Sequence, residues 1–514
     1  MLYVENLAPA TPPTVAGAVP DLPIVIMGAG FAGIGMAIQL KKAGIYSFTI
    51  FERASEIGGT WRDNTYPGAA CDVPSHVYSF SFEPHAGWTR MFATSGEIQR
   101  YLLHCVEKHQ LRPHLRLNTA VTEARFDETR GLWTLTTGTG ETVTARVVLS
   151  GVGGLVDPKL PDIPGLDRFE GTLFHTARWH HDYDLTGKRV AVIGTGASAV
   201  QVVPAIAPRV ATLSVFQRTA AWVVPKRDRP ISARMRRLFG RSPALMRVVR
   251  LFLYFMSELM GPVIFLDSPR LSRIGERMSE RHLRRSVADP ALRAKLRPTF
   301  QFGCKRMLIS DDYWPTFERP NVELVTEPIA EVRAHAVVTA DGREHPVDAI
   351  VLATGFALSI TTAPFPIHGL GGTTLAEAWR AGAVAYKGVA VSGFPNYFLM
   401  MGPNTGPGHT SVLVYTESQI RYILQAIRTL VGENLKYVTV RRDVQDAYNA
   451  ALQRRMQHMV WSTGCSSWYL SPDGENHSLF PGLASEYCAR MRRFKPSEYE
   501  RVPRAADGAR SGLQ

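Results

Sequence analysis

Cysteine is scarce in this sequence and falls in no motif. Cys71, Cys105, Cys304, Cys465 and Cys488 are spread over 514 positions with no C-x-x-C pair, which argues against a disulfide framework, a zinc ribbon and a dithiol redox motif. A reducing, cytoplasmic setting is the expectation. No H-E-x-x-H, P-loop or G-x-S-x-G occurs, so zinc hydrolysis, phosphoryl transfer and serine esterase chemistry have no motif behind them, and no metal site is expected. The first 22 residues hold no Lys or Arg and no continuous apolar core, so they are read as an extended arm and not as a secretory signal. Long apolar runs are missing as well. Leu251 to Leu266 is the nearest approach, but Glu258 and Gly261-Pro262 interrupt it and it is short for a bilayer span. A buried helix or a lid over a hydrophobic pocket is expected there, with membrane contact through 248–266 as the lesser reading.

Acidic residues are also in deficit. Lys and Arg number 58 against 45 Asp and Glu, a formal charge of +13. The excess is local, because residues 231–300 hold 15 basic and 5 acidic residues, or +10 of that total. Their Leu, Met and Arg recur at helical spacing, which reads as a basic helical insertion with a solvated face and not as a nucleic-acid site. Taken whole, the chain has the composition of a soluble globular protein, 45% hydrophobic and 20% charged. Its length suits about three domain-sized units at roughly 150 residues each.

Two segments share one grammar. Pro23 to Met27 is an apolar run ending in Gly28-Ala29-Gly30-Phe31-Ala32-Gly33, then a helical stretch, then Phe48 to Phe51 closing on Glu52. Arg189 to Ile193 leads into Gly194-Thr195-Gly196-Ala197-Ser198-Ala199, a helical stretch, then Leu213 to Phe216 and Arg218. Strand, glycine turn and helix form the context in which G-x-G-x-x-G binds a dinucleotide. The first Gly permits the turn, the second lets backbone approach the pyrophosphate, and the helix N-terminus supplies N–H donors. Ala199 replaces the third Gly of the second loop, as the pattern allows.

Glu52 and Arg218 stand at the same offset, 24 residues after the first glycine of their loops. A carboxylate there accepts hydrogen bonds from a free ribose, whereas a guanidinium suits a 2′-phosphate. The first unit is therefore expected to hold FAD through Gly28, Gly30, Gly33 and Glu52. The second is expected to hold NADPH through Gly194, Thr195, Gly196, Ala197, Ser198, Arg218 and Thr219. The expected fold is α/β, with two Rossmann-like domains and a helical insertion in the second.

The strand Asp348 to Ala353, ending in Ala-Thr-Gly, is read as a return to the first sheet, which makes the FAD domain discontinuous. The expected organisation is an arm over 1–21, FAD domain over 22–160 and 336–500, and NADPH domain over 161–230 and 301–335. The insertion 231–300 and a flexible tail 501–514 complete it.

Phe169-Glu170-Gly171, His175 and Trp179 resemble the signature F-x-G-x-x-x-H-x-x-x-W of Baeyer-Villiger monooxygenases, and the Pro or Asp that follows the Trp in that signature is His180 here. Gly58-Gly59-Thr60-Trp61, Tyr66-Pro67-Gly68 and Asp72 resemble the family's other motif, and the resemblance runs over roughly residues 22–490. It implies that NADPH reduces FAD and that dioxygen adds to the reduced flavin. The resulting peroxyflavin inserts one oxygen beside the carbonyl of a small hydrophobic ketone, giving an ester or lactone. It further implies that Arg306 stabilises the peroxide anion, that Asp72 orients Arg306, and that Lys305 joins Arg218 at the 2′-phosphate. Thr60, Trp61, Asp72 and Tyr78 would line the FAD site, and the loop Gly402 to His409 would approach the isoalloxazine. His175 is expected to act at a hinge between domains. A preorganised cation in a water-poor pocket is what such an anion requires, and arginine cannot lose its proton. Trp461, Trp468 and Tyr469 are read chiefly as core packing, with a substrate-side role as the lesser reading. Oxidation of N or S heteroatoms, or flavin reduction without oxygen insertion, are the alternative activities, and the oligomeric state is left open.

Overall fold

The computed structural model describes residues 20–358, 363–465, 467, 469–471 and 474–504. Trp468, nearly all of the N-terminal arm and most of the tail lie outside them.

Two sheets organise the chain. The first is built on Leu22–Met27, whose inner residues are fully buried, paired in parallel with Thr49–Phe51 on one side and Thr142–Ser150 on the other. Leu115–Arg116 extends it at one edge, while Leu132–Thr137, Val121–Asp127 and Ile367–His368 extend it at the other. Tyr397–Leu399 also pairs with Thr142–Ser150. Leu132–Thr137 and Thr142–Ser150, whose side chains alternate with a period of two, form an antiparallel pair. The helices Phe31–Lys42, Ser95–Lys108 and Val412–Gly432 bury their apolar faces in the core beside this sheet.

The second sheet is wholly parallel, in the order Val322–Val325, Thr212–Phe216, Arg189–Ile193, Ala349–Leu352, Thr172–His175. Its interior strands are continuous apolar runs, as expected of a sheet covered on both faces. The strand ending in Ala-Thr-Gly therefore belongs to the second sheet and not the first, a correction to the sequence reading. It pairs with Arg189–Ile193, and its end places the Ala353 carbonyl against the second glycine loop. The hairpin turning at Asp341-Gly342 precedes it and packs on the same unit. The return to the first sheet comes later, at Ile367–His368 and Tyr397–Leu399. The crossing between units is a short antiparallel pair, Leu155–Pro158 with Phe356–Leu358.

Residues 231–300 form four helices, Ala233–Arg241, Pro243–Phe265, Pro269–Ser286 and Pro290–Leu296. Two further expectations need correcting. Tyr499–Pro503 is a strand paired with Leu435–Val440, so the chain is ordered past residue 501. The helix Pro243–Phe265 is not buried throughout, because Leu251, Phe252, Phe255, Met256 and Leu259 face outward. Only its other face and its last turn pack inward.

Candidate functional site

The three glycines of the first loop divide the work their spacing suggests. Gly28 has φ +94°, and a Cβ there would lie 2.6 Å from the Gly151 carbonyl oxygen. A Cβ on Gly33 would lie 1.9 Å from the Gly28 oxygen, so the helix can seat on the turn only without a side chain. Gly30 is different, since its missing Cβ has no neighbour closer than Gly59 Cα at 3.9 Å. The open face at Gly30 and the first-turn amides of Phe31–Lys42 form a cradle that fits a pyrophosphate.

Glu52, buried at the end of the second strand, accepts hydrogen bonds from the Ala29 amide at 2.8 Å and the Ala54 amide at 3.0 Å. Arg62 donates at 3.1 Å to Oε1, the oxygen that also accepts from Ala54. The carboxylate is thereby fixed beside the loop. Gly58-Gly59 lies over Gly30 and begins the short helix Thr60–Asp63. The Trp61 indole donates to the Tyr78 hydroxyl at 3.1 Å, and Tyr78 packs edge-on to Phe31. Thr60, Trp61 and Tyr78 thus border the first loop.

The second loop repeats the pattern. Gly194 has φ +114° and its Cβ would lie 2.5 Å from the Ala353 oxygen, whereas Gly196 faces open space. Thr195 Oγ1 donates to the Thr219 carbonyl at 3.0 Å, tying the loop to the end of the neighbouring strand. Ser198 precedes the helix Ala199–Ile206, and Ala197 stands between it and the open Gly196. Arg218 is exposed just beyond its strand, and Lys305 lies close enough to feel its charge. Burial first, and Arg218 second, lower the Lys305 pKa from its ordinary value. Among the described residues neither cation has a carboxylate partner within ion-pair distance. Two adjacent cations without an acid are a donor set suited to a dianionic phosphate.

Arg306 turns the other way. Its Nη2 donates to Asp72 Oδ2 at 2.5 Å. The Asp72 carboxylate is the main cause that raises the guanidinium pKa further above its ordinary value, against burial. The Arg306 side chain keeps 41% of its surface accessible, so the cation is oriented by its counter-ion without being covered by it. Tyr66, Tyr78, Tyr469 and Cys71 sit near enough to couple with this pair. Burial pushes the phenols of Tyr66 and Tyr469 up to about 12, so both stay protonated donors. The fold thus brings Asp72 and Arg306 together across 234 residues of sequence. Consecutive residues Lys305 and Arg306 thus have different neighbours, Arg218 beside the one and Asp72 beside the other.

Sequence reasoning missed the joint around Gln201. This side chain, on the helix of the second loop, accepts from the Tyr66 hydroxyl at 2.8 Å and donates to the Ala70 carbonyl at 2.9 Å. Gly68 packs so closely that a Cβ would lie 2.5 Å from the Gln201 carbonyl oxygen. The Tyr66-Pro67-Gly68 motif is therefore one contact of the first unit with the second, and the helical position of Gln201 carries no signal of it. His175 ends a strand of the second sheet. Its Nδ1 accepts from the Ala177 amide at 3.1 Å, and its ring stands edge-on to Phe356 in the crossing strand at 5.8 Å. Burial lowers its pKa, with the Gly355 backbone opposing. Trp179 packs edge-on to Phe174 at 4.8 Å.

Trp461 lies in a core with Phe265, Met456 and Tyr469. Cys304 and Cys465 are joined as a disulfide with Cα atoms 6.3 Å apart, within the range a bridge needs. This single bridge departs from the expectation drawn from cysteine scarcity. Its partners are 161 residues apart, a spacing that carries no pattern. In the loop after Tyr397–Leu399, Asn404 donates to the Asn476 and Leu479 carbonyls at 2.7 and 3.0 Å. His409 meets Glu258 of the insertion at 2.8 Å.

Residues 22–368 match the flavin-binding monooxygenase-like family. The chain is 46% identical to a Baeyer-Villiger monooxygenase of Pseudomonas aeruginosa, over 96% of this chain and 94% of the relative. Among solved structures it is similar to OTEMO in complex with FAD and NADP, with TM-score 0.84 and 27% identity over 94% of this chain and 100% of the other. An oxidized steroid monooxygenase bound to NADP gives TM-score 0.84 and 31% identity, over 93% and 99% of the two chains.

Proposed function

From the premise that the chain belongs to the flavin-binding monooxygenase-like family and is a FAD- and NADPH-dependent Baeyer-Villiger monooxygenase, we propose how its own residues divide that work. The single observation that carries the reading is the Arg306–Asp72 pair, an accessible cation held by one carboxylate beside two nucleotide cradles. When bound, the flavin and the nicotinamide supply the electrons and the site at which dioxygen is activated. Gly28, Gly30, Gly33 and the helix after them bind the FAD pyrophosphate, and Glu52 accepts from its ribose. Gly194 to Ser198 do the same for NADPH, with Arg218 and Lys305 at the 2′-phosphate and Thr219 bracing the loop.

Arg306 offers a fixed positive charge where negative charge develops on oxygen. Asp72 is a positioning residue, since it aims the guanidinium and keeps it from collapsing elsewhere. His175 also acts by position, in the joint between the units, where its neutral ring packs on the crossing strand. The substrate is a small hydrophobic ketone, converted to an ester or lactone. An oxygen electrode with product analysis on a panel of ketones, amines and sulfides tests this reading. We expect oxygen and NADPH to be consumed together with ester formation. Exclusive N- or S-oxide formation would move the assignment to heteroatom oxidation.

A further inference from the structure

We propose that the helix Pro243–Phe265 docks this enzyme flat onto an anionic lipid surface. The helix is amphipathic in the wrong sense for a core element. Val248, Leu251, Phe252, Phe255, Met256 and Leu259 recur at three- and four-residue steps and are all exposed, Phe252 at 62%, Phe255 at 70% and Leu259 at 65%. Residues at that spacing share one face of a helix. Met235 and Leu238 on the preceding helix Ala233–Arg241 are exposed as well. A contiguous apolar stripe of this kind on a soluble domain marks a surface that something covers.

Charge identifies what covers it. From 231 to 250 the sequence holds six arginines and no acidic residue. Arg234, Arg237, Arg241 and Arg247 are exposed, and none has a carboxylate partner among the described residues. An apolar stripe flanked by uncompensated arginines is the pattern of helices that lie in the headgroup boundary of anionic membranes. Each cation near such a surface adds to the attraction. Nucleic acid would neutralise the arginines but leave the phenylalanines wet.

The helix lies along the surface and does not span, although its 23 residues are long enough and apolar enough to cross. Its opposite face is committed to the protein. Arg250 donates to the His76 and Ser79 carbonyls at 2.6 and 2.8 Å. Ser257 donates to Thr410 at 2.9 Å, and Glu258 accepts from the Ala484 and Ser485 amides and contacts His409. Docking would therefore hold the loop Gly402 to His409 close to the lipid. The inference rests on the exposed face and its charge, and stands whichever ketone is the substrate.

The test is flotation of the FAD-loaded full chain with vesicles of phosphatidylcholine alone or with about one-third phosphatidylglycerol. We expect co-flotation with the anionic vesicles, weakened by salt, and little with the neutral ones. Phe252→Ser with Phe255→Ser should lower partitioning about tenfold or more. Replacing Arg234, Arg237, Arg241 and Arg247 by Ser should lower it by roughly fivefold per arginine at low ionic strength. Because all six positions are exposed, flavin content and turnover of a water-soluble ketone should be unchanged in both variants. Wild type staying with the soluble fraction, or both variants floating as it does, would overturn the proposal. So would a homodimer in sedimentation that the phenylalanine variant abolishes, since a second copy would then cover the face.

Discussion

Arg306 carries its charge at every working pH, because Asp72 raises an already high guanidinium pKa. Its contribution is thus set by position and not by titration. Arg306→Ala should retain FAD and bind NADPH, yet lose on the order of a hundredfold or more in ester formation, with NADPH electrons diverted to hydrogen peroxide. Product formed per NADPH consumed checks this, and wild-type coupling in the variant would reject the assignment. At the coenzyme site, a charge-assisted contact contributes roughly 1.5–3 kcal/mol. Arg218→Ala should therefore raise KM for NADPH by about ten- to a hundredfold and leave KM for NADH nearly unchanged. An equal loss for both coenzymes would make Arg218 structural. The places of Glu52 and Arg218 just past their strands were legible in the sequence because the strand–turn–helix unit fixes where the next strand ends. Gln201 was not. It is one polar residue on a helix, and its bonds to Tyr66 and Ala70 exist only after two distant segments meet.

At the scale of elements, helical periodicity identifies an amphipathic helix but does not say which way its apolar side faces. Residues 251–266 therefore read chiefly as a buried helix or a lid, with membrane contact as the lesser reading, while the fold turns the stripe outward and tethers the polar side through Arg250, Ser257 and Glu258. The strand Ala349–Leu352 was misplaced for a similar reason, since a buried parallel strand reads the same in either sheet and only its pairing decides. Glu258 gives the tether a pH signature. Burial alone would raise its carboxyl, but hydrogen bonds from His409 and from the Ser485 side chain and amide outweigh burial and hold it down at about 2. The unfolded carboxyl titrates near 4.3, so this contribution is complete above that pH and is lost as pH falls toward 2. The thermal midpoint of Glu258→Gln should lie below wild type at pH 7, and the gap should narrow as pH falls from about 4 toward 2. A constant gap between the two across this range would show that the charge on Glu258 does not hold the helix to the loop.

The whole molecule depends on keeping two nucleotide units in register, and several contacts share that task, the Asp72–Arg306 pair among them. The two chain crossings pair as Leu155–Pro158 with Phe356–Leu358, His175 packs beside them, and Gly68 abuts the helix of Gln201. Gly68 allows a direct test, because two effects of a side chain there can be separated. Its φ of +83° makes any L-residue strained, and its Cβ would stand 2.5 Å from the backbone oxygen of Gln201. Gly342, in the hairpin turn of the second unit, has the same φ of +83° but open space where a Cβ would go. Both substitutions to Ala incur left-handed strain on the order of 1–2 kcal/mol, and only Gly68→Ala also forces the units apart. Gly342→Ala should therefore lose some thermal stability and keep its turnover. Gly68→Ala should keep its flavin, since the cradle at Gly28 to Gly33 is untouched, yet lose tenfold or more in the rate at which NADPH reduces that flavin, because donor and acceptor must be within contact distance and aligned. Anaerobic stopped-flow reduction reads that step alone. Equal reduction rates in the two variants would mean that the register of the units is held elsewhere, at the crossing strands and His175, and that the Tyr66-Pro67-Gly68 segment serves only the flavin site.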